Sequence, residues 1–347
     1  MILFPDPIEL SCDTQIEKKI ALILFSFYED LIEFNIGYIK NLPDATTIVV
    51  VMVDRSLKNK WDRFLEKHKE IQDKFKFEFR FQPNRGRNES AYWVTCKDII
   101  FSYDYICCIH DKKSPTASQK VVGYEWYRHC CDHLLGSTAS IKTVLSLFEK
   151  KSWIGMIVPI EPLFEHILET IIANPWAGNL SEGHKLRQML QIKAPFDEHP
   201  KAPWGGMFWV RGRAMVALYR HAWSYEDFPE EPLPTNGTLL HVLERIYPTI
   251  VQESGVQESG YATAQVCLSN QMGNYYNNLF YITQNFIQNN KFKIELETSE
   301  SRRHFSFVKK KARNLMCSLF KEDFSSRLDD FISAFVFYIK QKNYKGK

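Results

Sequence analysis

Lys18–Asp30 reads KKIALILFSFYED. Charged residues bound an apolar run from Ile20 to Phe27, broken only by Ser26. A strand with one wet face alternates apolar and polar residues; a continuous run bounded by charge reads as a strand buried on both faces, as in a parallel sheet. Thr46–Val53 (TTIVVVMV) repeats the pattern and ends at Asp54. Tyr103–Ile109 (YDYICCI) gives a third such strand.

Working outward, Asp30–Asn41 reads as a helix and the charged segment Lys58–Lys74 as a surface helix. Phe75–Phe81 alternates Phe with Lys, Glu and Arg, the mark of a half-exposed strand. A helix follows near Glu89–Phe101. In the second half, Ile141, Val144, Leu145 and Phe148 share one helical face after the cap candidates Ser137 and Thr138. Trp153–Pro159 and Gly205–Arg211 read as strands, and Thr238 caps a helix running to about Tyr247. Alternating strand and helix means an α/β fold with a mostly parallel, Rossmann-like sheet flanked by helices. VQESG occurs twice in tandem, at Val251–Gly255 and Val256–Gly260, too short a repeat to build a fold.

The 347 residues suffice for a large core, and 45% hydrophobic with 24% charged is globular composition. A net charge of +3 gives no reason to expect a nucleic-acid partner. That charge is unevenly spread. Arg302–Lys347 holds twelve Lys or Arg against four Asp or Glu, a net of +8, so the rest of the chain carries −5. Val308, Ala312, Leu315, Met316 and Leu319 share a helical face within this tail, and Leu328–Ile339 forms a second stripe. The tail, residues 291–347, therefore reads as a basic amphipathic extension that packs on the body or rests on an anionic membrane surface. The eight cysteines include adjacent pairs but no C-x-x-C, which suits buried free thiols in a reducing compartment. The N-terminus lacks the features of a secretory signal, and no apolar stretch is long enough to span a bilayer.

In open α/β sheets, ligands bind beyond the carboxyl ends of the strands. Asp54, Pro83–Asn88 (PNRGRN) and His110–Pro115 (HDKKSP) all stand at such ends. Arg85 and Arg87 flank Gly86; guanidinium forks suit phosphate oxygens, and glycine permits close backbone approach. A following helix N-terminus would add N–H donors. Asn84, Arg85, Gly86, Arg87, His110, Lys112, Lys113 and Asp54 are thus candidates to hold a nucleoside diphosphate. Asp111 occupies the place of a metal-binding carboxylate, but lysines follow it. A divalent cation (Mg2+ or Mn2+) with Asp111 among its ligands and direct neutralisation by Lys112 and Lys113 are both open. Other readings are solvated arginines and a capping or core histidine.

Glu230–Arg245 reads EEPLPTNGTLLHVLER. His241, Glu244 and Arg245 stand at i, i+3 and i+4 and share a face, either as a site or as a surface ion-pair set. Glu230 or Glu231 could take a proton from an acceptor hydroxyl. Trp204 and Trp209, in WGGMFW, suit a sugar-stacking wall or simple core packing.

Together, NRGRNESA, YDYICCIHDKKSP, GGMFWVR, YEDFPEEP and NGTLLHVLERIYP resemble, in order and spacing, the rhamnan synthesis protein F family over roughly Lys19–Val266. The resemblance implies a GT-A-like glycosyltransferase domain over residues 1–290, with a donor half to about residue 135 and an acceptor half from 136. It implies transfer of rhamnose or a related hexose from dTDP-rhamnose or a UDP-sugar to a lipid-linked glycan, at the cytoplasmic face of the membrane. It would put Asn84, Arg85, Gly86, His110, Asp111, Lys112 and Lys113 at the donor site and His241, Glu244 and Arg245 near the reacting centre. Joined to the reading of the residues, this makes Asp111, Glu231, His241 and Glu244 the catalytic candidates, and Trp204, Trp209, Asn236 and Arg245 the acceptor candidates. The resemblance leads one to expect an aspartate where this chain has Asn236. The base would then be another carboxylate, or the chain would be a degenerate binding or scaffold subunit of a polysaccharide complex. A phosphodiester- or phosphosugar-processing enzyme built on His110 and Asp111 is a third reading.

Overall fold

The computed structural model describes residues 2–3, 18–113, 120–162, 174–255 and 260–266. All fall in one compact unit, Ile2–Tyr275. The tail from residue 291, Ser114 and Pro115 and most of the second VQESG copy lie outside the described residues.

The strands are β1 (Ile2–Leu3), β2 (Ile20–Phe25), β3 (Thr47–Met52), β4 (Lys76–Phe81), β5 (Tyr105–His110), β6 (Ile154–Pro159), β7 (Phe208–Arg211) and β8 (Ala262–Val266). They form one sheet in the order β1-β8-β6-β7-β5-β2-β3-β4. Every pairing is parallel except those of β7, which runs antiparallel to both β5 and β6. The α/β reading is met, and the apolar runs are its cause. Ala21, Ile23 and Phe25 feed a core on one face of the sheet, while Ile20, Leu22 and Leu24 feed the core on the other. Val49 and Val51 against Ile48, Val50 and Met52 do the same on β3. Period-two side chains with both faces covered leave no place for a polar residue. β4, at the edge, is half-exposed as its alternation predicts. Cys107 and Cys108 point to opposite faces, so the adjacent thiols are separate core residues, and burial pushes both thiol pKa values well up.

The helices are α1 (Ile32–Ile39), α2 (Ser56–Lys67), α3 (Lys69–Lys74), α4 (Arg87–Ser90), α5 (Lys97–Ser102), α6 (Lys120–Leu135), α7 (Thr138–Lys150), α8 (Leu180–Met189) and α9 (Leu239–Glu253). Ser137 caps α7 by accepting the Ser140 N–H at 3.1 Å. Three details differ from expectation. The Lys58–Lys74 helix is two helices, broken at His68 (φ −120°, ψ 58°). A π-turn over Ala91–Thr95 joins α4 to α5, with the Cys96 N–H reaching the Ala91 carbonyl at 3.0 Å. Helix α9 runs past Tyr247 and through Pro248 to Glu253, because Tyr247, Ile250 and Val251 are fully buried and their packing outweighs one lost backbone bond.

Candidate functional site

β2, β3 and β5 run parallel and end at one rim of the sheet. A cavity of about 670 Å³ opens there, a volume suited to a small-molecule ligand. Phe25, Phe27 and Tyr28 line it from the end of β2. Asn84 and Arg87–Glu89 come from the loop after β4, and His110–Lys113 from the end of β5. The turn before β7 gives Gly205 and Gly206, residues 231–235 give a loop wall, and α9 gives Leu240, His241 and Glu244. The cavity thus gathers nine expected residues: Asn84, Arg87, His110, Asp111, Lys112, Lys113, Glu231, His241 and Glu244.

The loop after β4 is clamped to the segment 226–231. The Arg85 guanidinium donates to the Phe228 carbonyl at 2.6 Å and the Glu226 carbonyl at 3.0 Å, and meets Glu230 at 3.3 Å. Its donors are committed to that segment and it does not line the cavity, unlike the expected phosphate contact. Gly86 sits between them at φ +79°, and a Cβ there would come 2.7 Å from both Phe228 and Ser90. Only glycine fits this turn without strain. Arg87 forks onto Glu231, Nε to Oε1 at 2.7 Å and Nη2 to Oε2 at 3.0 Å. This pairing holds the Glu231 carboxyl below its ordinary value, which makes it a weak proton acceptor.

At the end of β5, Asp111 is buried. Its Oδ2 accepts the N–H groups of Phe27 at 2.8 Å and Tyr28 at 2.9 Å, and its Oδ1 accepts Asn35 Nδ2 at 2.9 Å. Burial raises its pKa, and these donors oppose the rise. The carboxyl pins the loop after β2 to the end of β5, a structural role beside the catalytic or metal role expected of it. His110 Nε2 lies 2.7 Å from the Gly205 carbonyl, and Nδ1 3.0 Å from the Asp111 carbonyl. Carbonyls only accept and a neutral ring carries one N–H, so one contact is a hydrogen bond; the shorter, from Nε2 to Gly205, ties β5 to the glycine turn. Burial, aided by Lys112, pushes its pKa down to about 4, which keeps it neutral. Lys112 Nζ stands 4.5 Å over the Trp126 ring. Lys113 stands 4.7 Å over Tyr28 and pairs with Asp30.

On α9, His241 takes part in the helix cap. Its Nδ1 faces Thr238 Oγ1 at 2.7 Å and accepts from the Thr238 N–H at 3.4 Å. Burial, then Arg245, lowers its pKa to about 4. The neutral ring therefore carries its proton on Nε2 and is a donor at the cavity wall. Glu244 Oε2 accepts the Gly205 N–H at 3.1 Å. Arg245 is buried, donates to the Pro175 carbonyl at 2.8 Å and lies outside the cavity lining.

Four further expected residues stand apart from the cavity. Asp54 accepts Ser56 N and Oγ, both at 2.7 Å, and organises the start of α2. Trp209 is fully buried on β7, its indole donating to the Leu134 carbonyl at 3.0 Å, so it is core and no sugar platform. Trp204 is 5% exposed and stacks 5.4 Å from the Arg245 guanidinium. Asn236 accepts from Asn179 Nδ2 at 2.9 Å and donates to the Ala177 carbonyl at 2.7 Å. The exposed aromatic at the cavity is instead Phe27, 45% exposed.

Sequence reasoning missed Glu89. It is 2% exposed and lines the cavity. Tyr247 hydroxyl and Trp93 Nε1 (2.9 Å) donate to its Oε2, and Asn88 Nδ2 donates to its Oε1 at 2.9 Å. Desolvation raises its pKa to about 7 against the pull of these donors, and the nearby Glu244 charge adds to the rise. Glu89 lies within the NRGRNESA motif, but its raised pKa depends on Tyr247, 158 residues away.

Among the described residues, no group of three or more His, Cys, Asp or Glu side chains forms a metal-binding cluster. Asp111, the carboxylate expected to hold Mg2+ or Mn2+, is engaged by the β2 loop.

Residues 3–256 match the rhamnan synthesis protein F family. The chain belongs to this family. Membership supports the coarser functional expectation, a glycosyltransferase. Among solved structures, the chain is similar to the mannosyltransferase PcManGT from Pyrobaculum calidifontis in complex with GDP-Man and Mn2+, with 13% identity and a TM-score of 0.37, covering 98% of this chain and 84% of that one. No curated protein matches the sequence. Among the described residues, no helix is long and apolar enough to cross a membrane.

Proposed function

We propose that the cavity at the sheet rim binds a nucleotide sugar, and that the chain transfers rhamnose or a related hexose from it to a hydroxyl of a growing cell-surface glycan. The observation that supports this most is the division of charge around one cavity. Lys112, Lys113 and Arg87 come from two strand-end loops, and the carboxyls of Glu89 and Glu244, close to each other, line the same cavity. A diphosphate leaving group needs fixed positive charge, and the attacking hydroxyl needs a proton acceptor. In this reading the basic groups hold the dTDP or UDP diphosphate and stabilise the charge that develops on it. The Phe27 ring and the loop after β2 accommodate the nucleoside. His241 Nε2–H is a donor to a sugar or acceptor oxygen. Lys112 and Lys113 supply charge whether or not a cation is also bound. A lipid-linked acceptor at the cytoplasmic face of the membrane, reached through the basic tail, completes the proposal. Equal vesicle co-sedimentation by the full chain and a chain ending near Asn290 would remove the tail from it.

The test is turnover of dTDP-rhamnose, UDP-glucose and UDP-galactose, with and without EDTA, by wild type and the Lys112→Ala/Lys113→Ala variant. Turnover that survives chelation but not the lysine changes supports direct neutralisation by lysine. Turnover lost to EDTA alone places the charge on a cation instead. Nucleotide binding without turnover on any acceptor favours the scaffold reading. That reading drew on Asn236, whose amide is engaged by Asn179 and Ala177 away from the cavity. Absence of all nucleotide binding would sink the transferase.

A further inference from the structure

The family and the cavity leave open which group accepts the proton of the attacking hydroxyl, and most candidates at the cavity are already engaged. Glu231 is bound on both oxygens by Arg87. Asp111 holds the loop after β2. The acceptor nitrogen of His241 faces Thr238. Glu244 Oε2 takes the Gly205 N–H, and its Oε1 faces the Arg245 guanidinium at 3.5 Å.

Glu89 differs. Its Oε2 is saturated by Tyr247 and Trp93, which fixes the carboxyl plane. Its Oε1 accepts only Asn88 Nδ2 and keeps a lone pair. Beside Oε1 the wall has no side chain at Gly206. Gly206 lies there at φ +70°, and a Cβ on it would stand 3.0 Å from Asn88 Nδ2, 3.4 Å from His110 Nε2 and 3.7 Å from Glu89 Oε1. The missing methyl leaves room for a ligand atom against that oxygen. The π-turn that follows on the same helix, a feature frequent at functional sites, brings Trp93 under the carboxyl.

We propose that Glu89 is the general base of the transfer. This rests on the glycosyltransferase reading above. The acceptor hydroxyl oxygen attacks the anomeric carbon of the donor sugar. The bond from that carbon to the phosphate oxygen breaks, and its electron pair leaves with the nucleoside diphosphate. The hydroxyl proton passes to Glu89 Oε1 and from there to water. The products are the glycoside and the nucleoside diphosphate, with the carboxylate restored. Tyr247 and Trp93 are positioning residues that act through Glu89. The groups facing Glu89 are Tyr247 and Glu244 of α9, Trp93 and Tyr92 of the π-turn, Asn88 of α4, and Cys108 and His110 of β5.

The test uses the full chain and the donor it turns over among dTDP-rhamnose, UDP-glucose and UDP-galactose, following donor hydrolysis or transfer. Glu89→Gln, which keeps the shape, is expected to lower kcat by about 100-fold or more, as general-base loss does. The affinity for nucleoside diphosphate should stay within about threefold, and Glu89→Asp should restore part of the rate. Because Gln also alters the buried hydrogen-bond network, the pH profile gives an independent reading. Wild-type kcat/KM should fall as pH drops below about 7. Tyr247→Phe removes a donor to the carboxylate and should move that acid limb to higher pH. Glu244→Gln removes a neighbouring negative charge and should move it lower. A Glu89→Gln enzyme with wild-type rate, or an acid limb that neither variant moves, overturns the assignment while leaving the transferase intact. Failure of wild type to turn over or bind any of the donors overturns the transferase reading and this one with it.

Discussion

Arg87 and Glu231 meet fork to fork, with N–O distances of 2.7 Å and 3.0 Å, on the wall of the cavity. The arginine is therefore not a free phosphate ligand. An incoming diphosphate must take it from Glu231, whose pKa is held low by the same pairing. Removing the competitor should help the ligand. A half-exposed ion pair is worth roughly 0.2–1 kcal/mol, so Glu231→Gln should tighten dTDP binding about 1.5- to 5-fold. Arg87→Ala should weaken it by about tenfold or more. Titration calorimetry with dTDP checks both, and weaker binding by Glu231→Gln would show that the pair is part of the binding geometry.

Asp111→Asn tests whether that side chain is a site carboxylate or an anchor. An amide nitrogen must face either the N–H groups of Phe27 and Tyr28 or the amide nitrogen of Asn35. Asn35 cannot readily turn, since its oxygen accepts the Tyr127 hydroxyl. We expect a stability loss of about 1–3 kcal/mol in urea unfolding, the cost of leaving buried polar groups unmatched. Unchanged stability with lost turnover would return Asp111 to the chemistry.

Asn236→Asp tests the aspartate that the family resemblance leads one to expect at this position. Here the amide donates to the Ala177 carbonyl at 2.7 Å, a bond that a carboxylate turns into a repulsion. A modest destabilisation, about 1 kcal/mol, is expected without a gain in turnover. A tenfold rise in kcat would instead place the base at this position.

Glu89 should also shape stability against pH. Its folded pKa, about 7, lies above the ordinary value of 4.5. Between these pH values the folded carboxyl holds its proton while the unfolded one is ionised, so stability is lost as pH rises through this window. Above it, the full penalty of burying the charge applies, on the order of 3 kcal/mol. Glutamine has no charge to bury. Relative to wild type, Glu89→Gln should therefore gain that amount between pH 4 and pH 8 in urea unfolding. A difference independent of pH would mean that the carboxylate is not buried as a charge.

Part of the site was legible in the sequence, for local reasons. Gly86 had to allow a left-handed turn, and it does, at φ +79°. The loops after β4 and β5 had to meet once their strands were read as parallel, and Arg87 and Lys112 do share one cavity. Other assignments failed where residue type was right but surroundings decided use. Arg85 resembles Arg87 in every local respect, yet its donors close on Phe228 and Glu226, more than 140 positions away. Trp209 had the composition of a sugar platform, but strand alternation turned it into the core.

By itself, the sequence determined the sheet. Runs such as Ile20–Phe25 and Ile48–Met52 are apolar at every position, and only burial on both faces satisfies them. That demand is local and does not depend on what the strand meets. Tertiary structure alone decided which polar groups remain available. Glu89 lies one residue past the motif that marks the diphosphate loop, and nothing near it in sequence marks it as reactive. Its character comes from desolvation and from Tyr247 and Glu244, on a helix some 150 residues later. Hydrophobic period is written into neighbouring residues; protonation and hydrogen-bond occupancy are set by whichever side chains packing brings within a few ångströms.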